Sequence, residues 1–177
     1  TDVTPANGGV GMMSSFGDGI QLTAMQLAAV MSAISNGGTL YHLQYPQTQF
    51  EAQTFEPRIK RQLAISPWIP EMKPGMMGAV EFGTAKRAAY SADEPILGKT
   101  GTCTDRATPT HLGWFGSFND VSNRKLVVVV LLTGGAHVSG PEASAIGGDI
   151  YRRLSENRYF SPTEVASATN LVAIGGE

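Results

Sequence analysis

Three segments decide the fold: ILGKTGTC at 96–103, LGWFGSF at 112–118 and LVVVVLL at 126–132. The first is rich in threonine and the second in aromatic residues, as strands often are. The third is a continuous apolar run without polar alternation, which is typical of a strand covered on both faces. A tight polar connection at 119–124 suits a hairpin. The sequence therefore predicts three consecutive antiparallel strands.

A helix is predicted upstream of these strands. Thr23-Ala24-Met25-Gln26 has the pattern of a capping box, in which a hydroxyl and an amide satisfy backbone donors reciprocally. Asn36-Gly37-Gly38 then supplies residues that accept a left-handed backbone at the helix end. Between these signals, apolar residues recur at helical spacing and predict one buried face: Leu27, Val30, Met31 and Ile34.

Two further helices flank the strands, and residues 39–65 are expected to hold short strands or loops of a surface excursion. One helix starts at Ser66-Pro67 or Pro70, although Gly75 and Gly78 within it each cost about 1 kcal/mol relative to alanine. Its apolar face is predicted to contain Met72, Met76, Met77 and Val80. The last helix begins near Pro141, with a predicted apolar face of Ala143, Ile146, Ile150 and Leu154. The fold class is α+β, an antiparallel sheet with covering helices.

Composition excludes several classes of function. The chain has 177 residues, 42% of them apolar and 16% charged, which suits one folded domain and argues against disorder. A net charge of -2 gives no basic footprint for nucleic acid. The single cysteine, Cys103, allows no internal disulfide, and the isolated His42 and His137 have no metal-ligand spacing, so neither a metal nor a cofactor is expected. No apolar run approaches the roughly 20 residues that cross a bilayer.

Gly98-Lys99-Thr100-Gly101-Thr102 is the segment that carries chemistry. On a strand, alternation sends Lys99 and Gly101 to one face and Thr100 and Thr102 to the other. A glycine in a strand often marks a close approach of a ligand or another backbone. A polar edge strand that ends in a turn is the plain alternative. A phosphate-binding loop fails because the glycine required upstream is absent, Asp93 standing in its place.

The surrounding sequence resembles the penicillin-binding proteins, whose acyltransferase motifs are S-x-x-K, S-x-N and K-T-G. The K-T-G element is present in the extended form G-K-T-G-T at 98–102. The family's aromatic strand W-F-x-G-[FY] is matched by Trp114–Phe118, with Ser117 in place of the glycine. Upstream, Gly83-Thr84-Ala85 resembles the family's G-T-A. The pattern Gly17–Ala28 with Ser35–Gly38 resembles G-Q-G…T-P-L-Q-[LM]-A…A-N-G-G, with Asp18 and Ala24 as departures, and is more similar to the monofunctional class B transpeptidases than to a β-lactamase.

The resemblance implies roles for four residues. Lys99 supplies positive charge and supports proton transfer near the nucleophile. Thr100 and Thr102 bind the terminal carboxylate of the substrate or of a β-lactam, and Gly101 keeps the strand flat for a peptide that lies along it. The backbone N–H of Thr102 is one oxyanion-hole donor. Lys99 and Thr102 are thus the expected catalytic residues, and Lys99, Thr100, Gly101 and Thr102 the substrate-binding ones.

The family's nucleophilic serine and lysine are not found upstream of position 98. Ser122-Asn123-Arg124-Lys125 fits S-x-x-K and Ser117-Phe118-Asn119 fits S-x-N, but both follow K-T-G in the predicted strand and hairpin turn. A nucleophile needs a helix start that directs both side chains into the cleft, so these matches are interpreted as coincidental. Ser14-Ser15 has no lysine or histidine nearby in sequence. His111 is more simply structural than catalytic, and Cys103 is expected to be half-buried.

The resemblance implies a penicillin-binding D,D-transpeptidase that cross-links peptidoglycan through an acyl-serine intermediate, with residues 1–155 as the C-terminal part of that domain. Residues 156–177 lack strong periodicity and are expected to form a loosely attached tail. The isolated chain is expected to be inactive. A non-catalytic β-lactam sensor or degenerate peptide-binding module is the alternative, and a serine β-lactamase fragment is a third. Because the chain begins with Thr1, it is interpreted as a piece of something longer.

The expected partners are peptidoglycan stem peptides and β-lactams, and no nucleic acid. The expected location is the outer side of the cytoplasmic membrane, with any anchor outside this chain. In the family's fold the sheet has about five strands, of which this chain should hold three. The strand at 126–132 would then be partly uncovered, so the chain is expected to associate with itself, to pair with another segment such as the missing part of the same domain, or to be poorly stable.

Overall fold

The computed structural model describes residues 20–89, 94–105, 110–120, 125–135 and 137–160, together with Gly11, Ser15 and Gly17. Its helices are α1 (Ala24–Ser35), α2 (Gln49–Gln53), α3 (Ile69–Glu81) and α4 (Gly140–Glu156), with short 3₁₀ turns at Ser66–Trp68 and Lys86–Ala88. Its strands are β1 (Thr39–Tyr41), β2 (Ile59–Gln62), β3 (Ile96–Asp105), β4 (Thr110–Asn119) and β5 (Val127–Thr133).

The main sheet has the antiparallel order β3-β4-β5, so the three predicted strands and the α+β class are confirmed. Helix α1 covers one face, where Met31 and Ile34 pack with Leu97 and Phe118. Helix α4 covers the other face. The excursion at 39–65 forms a separate two-stranded antiparallel sheet of β1 and β2, and α2 lies in the connection between them.

The capping box at the start of α1 is confirmed. The backbone N–H of Gln26 donates to Thr23 Oγ1 at 3.2 Å, and the Thr23 N–H donates to Gln26 Oε1 at 2.8 Å. Most of the predicted apolar face is also correct, because Met31 and Ile34 are buried and Leu27 packs against their cluster. Val30 is the exception, with 42% of its surface exposed.

Helix α3 begins after the 3₁₀ turn and passes through both glycines that argued against it. Gly78 is covered by the ring of Phe82, whose Cζ would lie 2.7 Å from an added Cβ, whereas Gly75 has no atom within 4 Å. Met76 packs into the cluster on the α1 face and Val80 into the cluster on the α4 face. A helix that contributes to both faces lies at the edge of the sheet, here beside the start of β3. The prediction for Met72 was wrong, since it is 39% exposed.

Half of the predicted face of α4 is confirmed, since Ala143 is fully buried and Leu154 packs against the cluster on the α4 face, and the other half was wrong. Ile146 and Ile150 are 42% and 36% exposed, and the buried face runs instead through Ala143, Ser144, Gly147, Gly148 and Tyr151. The two glycines let the helix approach the sheet so closely that a Cβ at Gly147 would lie 2.6 Å from Phe115 Cδ1. Small residues therefore mark the closest part of the contact face, and Ile146 and Ile150 point away from it.

The residues beyond α4 continue the described structure as far as Phe160. The Phe160 side chain is 4% exposed, and its ring centroid lies 6.4 Å from that of Tyr151. The domain boundary at 155 stays a prediction, and residues 161–177 of the expected tail lie outside the described residues. None of the described helices is long and apolar enough to cross a membrane.

Candidate substrate-binding strand

The K-T-G-T segment lies in the middle of β3, and its side chains alternate as predicted. Leu97, two residues before Lys99, packs with α1 residues, which places Lys99 and Gly101 on the α1 face. Thr100 is opposite Phe115, and Phe115 packs in the cluster on the α4 face. Thr100 and Thr102 therefore lie on the α4 face of the sheet.

The direction of the backbone groups of β3 follows from one hydrogen bond. In an antiparallel ladder, opposite residues alternate between pairs that exchange hydrogen bonds and pairs that do not. The register Ile96↔Asn119 extends to Pro95 and Asp120, and the Asp120 N–H donates to Pro95 O at 3.3 Å. Odd-numbered residues of β3 therefore bond to β4. The N–H and C=O groups of even-numbered residues, including Thr100 and Thr102, point away from β4.

The ladder on the other side of β4 confirms this alternation. Asn119 N–H donates to Leu126 O at 3.2 Å, and the Gly134 N–H donates to His111 O at 3.3 Å. Odd-numbered residues of β4 thus bond to β5, which leaves the even-numbered ones for β3. In the described part of the chain no strand pairs with the outer edge of β3. The Thr102 N–H is consequently directed toward an unpaired strand edge.

The two threonine hydroxyls have different surroundings. Thr100 is 8% exposed, and its Oγ1 lies 2.5 Å from Thr84 Oγ1. Thr102 is exposed, and its Oγ1 accepts a hydrogen bond from the Gly140 N–H at 2.8 Å. A hydroxyl that accepts from a backbone N–H still has its own proton to donate. Thr102 therefore presents a donor at the surface, whereas Thr100 is engaged inside the protein.

Lys99 is exposed on the α1 face, and its ammonium group folds toward the open edge. Its Nζ donates to the carbonyl oxygen of Thr100 at 2.7 Å. That carbonyl is one of the outward-directed groups, so the positive charge lies beside the edge to which the Thr102 N–H points. The edge thus combines a cation, a hydroxyl donor and a backbone donor, which suits an anionic or carbonyl-bearing extended ligand.

Close contacts of glycine hold the start of α4 against this part of the sheet. A Cβ on Gly113 would lie 2.3 Å from Ser139 O, and one on Gly140 would lie 2.8 Å from Thr100 Cβ. Ser139 caps the helix, since its side chain accepts from the Glu142 N–H. These contacts bring the Gly140 N–H within reach of Thr102. The N-terminal end of the helix dipole favours negative charge in this region.

An ion-pair cluster lies at the other end of the β3–β4 pair. Asp120 contacts Lys73 of α3 at 2.7 Å and Lys125 at 3.0 Å. The hydrogen bond from Lys73, followed by that from Lys125, holds the pKa of Asp120 below its ordinary value despite partial burial. This cluster attaches α3 to Asp120 at the end of β4. The described residues contain no group of three or more acidic, histidine or cysteine side chains that could hold a metal ion.

Some of the residues whose motif matches were interpreted as coincidental lie in the described part of the chain. Ser117 is fully buried, donates to Val128 O at 3.0 Å and lies 3.2 Å from the Tyr151 hydroxyl. Buried Asn119 accepts from the Leu126 N–H at 2.6 Å. Burial raises the pKa of the Tyr151 phenol, so this group stays neutral. Ser14 and Ser122–Arg124 lie outside the described residues.

Two other expectations concern the far end of β3. His111 is half-buried, and its Nδ1 lies 3.3 Å from Thr104 Oγ1 on the opposite strand, which is a cross-strand contact. Cys103 was expected to be half-buried, and this was wrong, because its side chain is exposed. Cys103 lies near the end of β3 and is a member of neither core cluster of the described residues.

The fold agrees with a comparison of the chain with protein families. The model of the penicillin binding protein transpeptidase domain matches residues 4–155. The chain therefore belongs to the penicillin-binding protein transpeptidase family. No curated protein sequence is similar enough to the chain to count as a match.

Solved structures show the same fold. The D,D-transpeptidase domain of a peptidoglycan glycosyltransferase from Eggerthella lenta superposes with a TM-score of 0.56 at 19% identity, covering 78% of this chain and 33% of that one. A protein from Atopobium parvulum DSM 20469, described as a candidate peptidoglycan glycosyltransferase, gives 0.56 at 16% identity, covering 78% and 34%. The chain spans about a third of these matched structures. The monofunctional class B type stays a prediction.

Sequence reasoning noticed Gly83-Thr84-Ala85 only as part of the family pattern and gave Thr84 no role. The structure places its hydroxyl against Thr100, 16 positions later in the chain. A Gly-Thr-Ala triplet after a helix contains no local signal for this contact. The contribution of the Gly140 N–H was missed for the same reason, since it depends on where α4 packs.

Proposed function

We propose that this chain forms the substrate-binding K-T-G part of a D,D-transpeptidase that cross-links peptidoglycan through an acyl-serine intermediate. The observation that carries the proposal is the open edge of β3, where the outward Thr102 N–H lies beside the exposed Lys99. Membership of the transpeptidase family supports the reaction class. The substrates are peptidoglycan stem peptides, and β-lactams react at the same site.

In this proposal the stem peptide adds to β3 as a further antiparallel strand. Its backbone pairs with the outward groups of the even-numbered residues, and Gly101 leaves its α1-face surface open, with only Trp114 Cβ near at 3.6 Å. The Thr102 N–H donates to the carbonyl oxygen as it becomes an oxyanion, a contribution typically worth about 10²–10³ in rate. Lys99 stabilises negative charge and supports proton transfer to or from the serine.

The carboxylate of the ligand is held by the hydroxyl donors on the α4 face. Thr102 is suited to this role because its oxygen already accepts from Gly140 and its proton is free to donate. Thr100 was assigned the same role from the family pattern, and its 8% exposure favours an indirect contribution. The nucleophilic serine and its lysine are proposed to lie in the parent protein outside this chain.

The test is covalent labelling by benzylpenicillin, read by intact-mass spectrometry. The full-length protein should gain one adduct on the serine of an S-x-x-K motif, whereas this chain alone should gain none. Thr102→Val and Lys99→Ala in the full-length protein should slow labelling, and the exposed Lys60→Ala should not. A stable adduct on any serine of this chain would contradict the proposed absence of the nucleophile.

A second assay separates the transpeptidase from its alternatives. A synthase should form cross-linked product from stem-peptide donors and acceptors, while a β-lactam sensor should be labelled without forming any. Rapid hydrolysis of a chromogenic cephalosporin would instead indicate a β-lactamase. We place the site on the outer side of the cytoplasmic membrane, because transpeptidase domains of this family act on the extracytoplasmic cell wall.

A further inference from the structure

Thr84 occupies a position that the fold holds rigidly between α3 and β3. The preceding Gly83 closes the end of α3, with its N–H donating to Gly78 O at 2.9 Å and no room for a Cβ, which would lie 2.8 Å from Ala79 Cα. The following Ala85 is fully buried, and its N–H donates to Ala79 O at 2.8 Å. Anchors on both sides therefore fix where the Thr84 side chain points.

The same segment is attached to α4 at two places. Arg87 forms an ion pair with Glu142 in the first turn of α4. Ala88 is fully buried and lies so close to α4 that a Cβ on Gly148 would be 2.6 Å from Ala88 O. Since Gly140 of the same helix bonds Thr102, the position of Thr84 is coupled to that of the K-T-G-T threonines by direct packing.

The contact between Thr84 and Thr100 joins an exposed residue to a buried one. Their Oγ1 atoms are 2.5 Å apart, Thr84 is exposed, and Thr100 is 8% exposed. One hydroxyl donates to the other, and each oxygen retains further hydrogen-bonding capacity. When the Thr100 hydroxyl donates to Thr84 Oγ1, the Thr84 proton is available to an acceptor at the surface. The hydroxyl at the surface of this pair thus belongs to Thr84.

We propose that Thr84 is a carboxylate-binding residue of the site, and that Thr100 acts behind it as a positioning residue. Thr84 then binds the anionic terminus of the ligand together with Thr102, whose hydroxyl is oriented in a comparable way by Gly140. This inference rests on the proposed transpeptidase function and refines its specificity. It predicts that Thr84 discriminates a ligand with a free carboxylate from a neutral ester of the same ligand.

The experiment uses the full-length protein and two probes, benzylpenicillin and its methyl ester. The second-order rate of acylation is measured by mass spectrometry for each. Thr84→Val should lower the rate with benzylpenicillin by roughly 10- to 100-fold, the effect expected for a lost hydrogen bond to a charged group. The rate with the ester should change by less than about twofold, because an ester offers no charged acceptor.

Two further variants complete the design. Thr84→Ser, which keeps the hydroxyl, should retain most of the preference for the acid, whereas Thr84→Ala, which removes the hydroxyl without adding a methyl group in its place, should lose that preference as Thr84→Val does. Thr133→Val, at an exposed threonine on the last strand of the sheet, is the matched control and should alter neither rate.

The outcomes distinguish the two proposals. An equal loss with both probes would mean that Thr84 serves only the structure, and no loss with either would mean that it does not contact the ligand; each result overturns the inference alone. A wild-type protein that reacts with neither probe overturns the proposed function, and the inference with it. A wild-type protein that reacts with both at the same rate overturns carboxylate recognition by the site as a whole.

Discussion

The packing of α4 on the sheet makes a sharp prediction for Gly147→Ala. A Cβ at this position would lie 2.6 Å from Cδ1 and 2.7 Å from Cε1 of Phe115. The ring cannot move aside, because it is fully buried and its other edge lies against Gly98, where a Cβ would be 2.7 Å from Cε2. The added methyl group must therefore displace either the helix or the strand that contains the K-T-G-T segment.

Two effects of opposite sign determine how much Gly147→Ala changes the free energy of unfolding. Overpacking of a well-filled core costs about 1–3 kcal/mol, while replacing glycine by alanine inside a helix gains about 1 kcal/mol. The free energy of unfolding of Gly147→Ala should therefore fall by about 0–2 kcal/mol. Urea unfolding of the 177-residue chain, followed by far-UV circular dichroism, measures this difference. Where the variant and the wild type have the same m-value, the shift in the urea midpoint gives the change in the free energy of unfolding.

Gly75→Ala is the matched control. Gly75 is also inside a helix, but an added Cβ there meets no atom within 4 Å, so the propensity gain stands alone. This variant should be more stable than wild type by about 0.5–1 kcal/mol. The two alanine variants should thus differ by about 1–3 kcal/mol. If Gly147→Ala is as stable as Gly75→Ala, the close packing of α4 on Phe115 is refuted.

Two other perturbations test the ion pair and the open sheet edge. The hydrogen bond from Lys73 lowers the pKa of Asp120 below 3.8, so its stabilisation is present above that pH and is lost as pH falls through the lowered pKa. Asp120→Asn should lower the free energy of unfolding by about 1 kcal/mol at pH 7 and make it depend less on pH at acidic pH. Asp149→Asn, at an exposed ion pair, is the control and should do neither. An unchanged dependence on acidic pH in Asp120→Asn would contradict this prediction. Because Leu131 is 37% exposed on β5, sedimentation velocity should show self-association that Leu131→Lys reduces, and a monodisperse wild-type monomer would contradict it.

The parts of the fold that depend on local chemistry could be predicted from the sequence. The capping box at Thr23 and Gln26 forms as expected because both hydrogen bonds connect residues three positions apart. The alternation of Lys99 and Thr100 across β3 follows from strand geometry alone. Such features can be predicted without knowing how the helices and strands pack against one another.

The features that could not be predicted depend on contacts between distant segments. The apolar residues Ile146 and Ile150 suggested one face of α4, but the closest contacts of the helix are made by Gly147 and Gly148. A search for apolar periodicity finds the large apolar side chains of a helix and overlooks its glycines. Glycine nevertheless allows the shortest distance between a helix and a sheet, because it has no side chain. The same limitation hid the contact of Thr84 with β3, since it forms only after α3 has packed against that strand.

The alternation of β3 also determines what a mutation in the K-T-G-T segment can report. Thr100 and Thr102 direct their side chains toward α4, but their backbone groups point out of the sheet edge. Replacement of the Thr102 side chain therefore removes a hydroxyl donor and leaves the outward N–H in place. Under the proposed function, a loss of rate in Thr102→Val therefore reports recognition of the carboxylate, because the backbone donor is still present. Side-chain variants at the even-numbered positions thus test the proposed ligand recognition without removing the proposed oxyanion-hole donor.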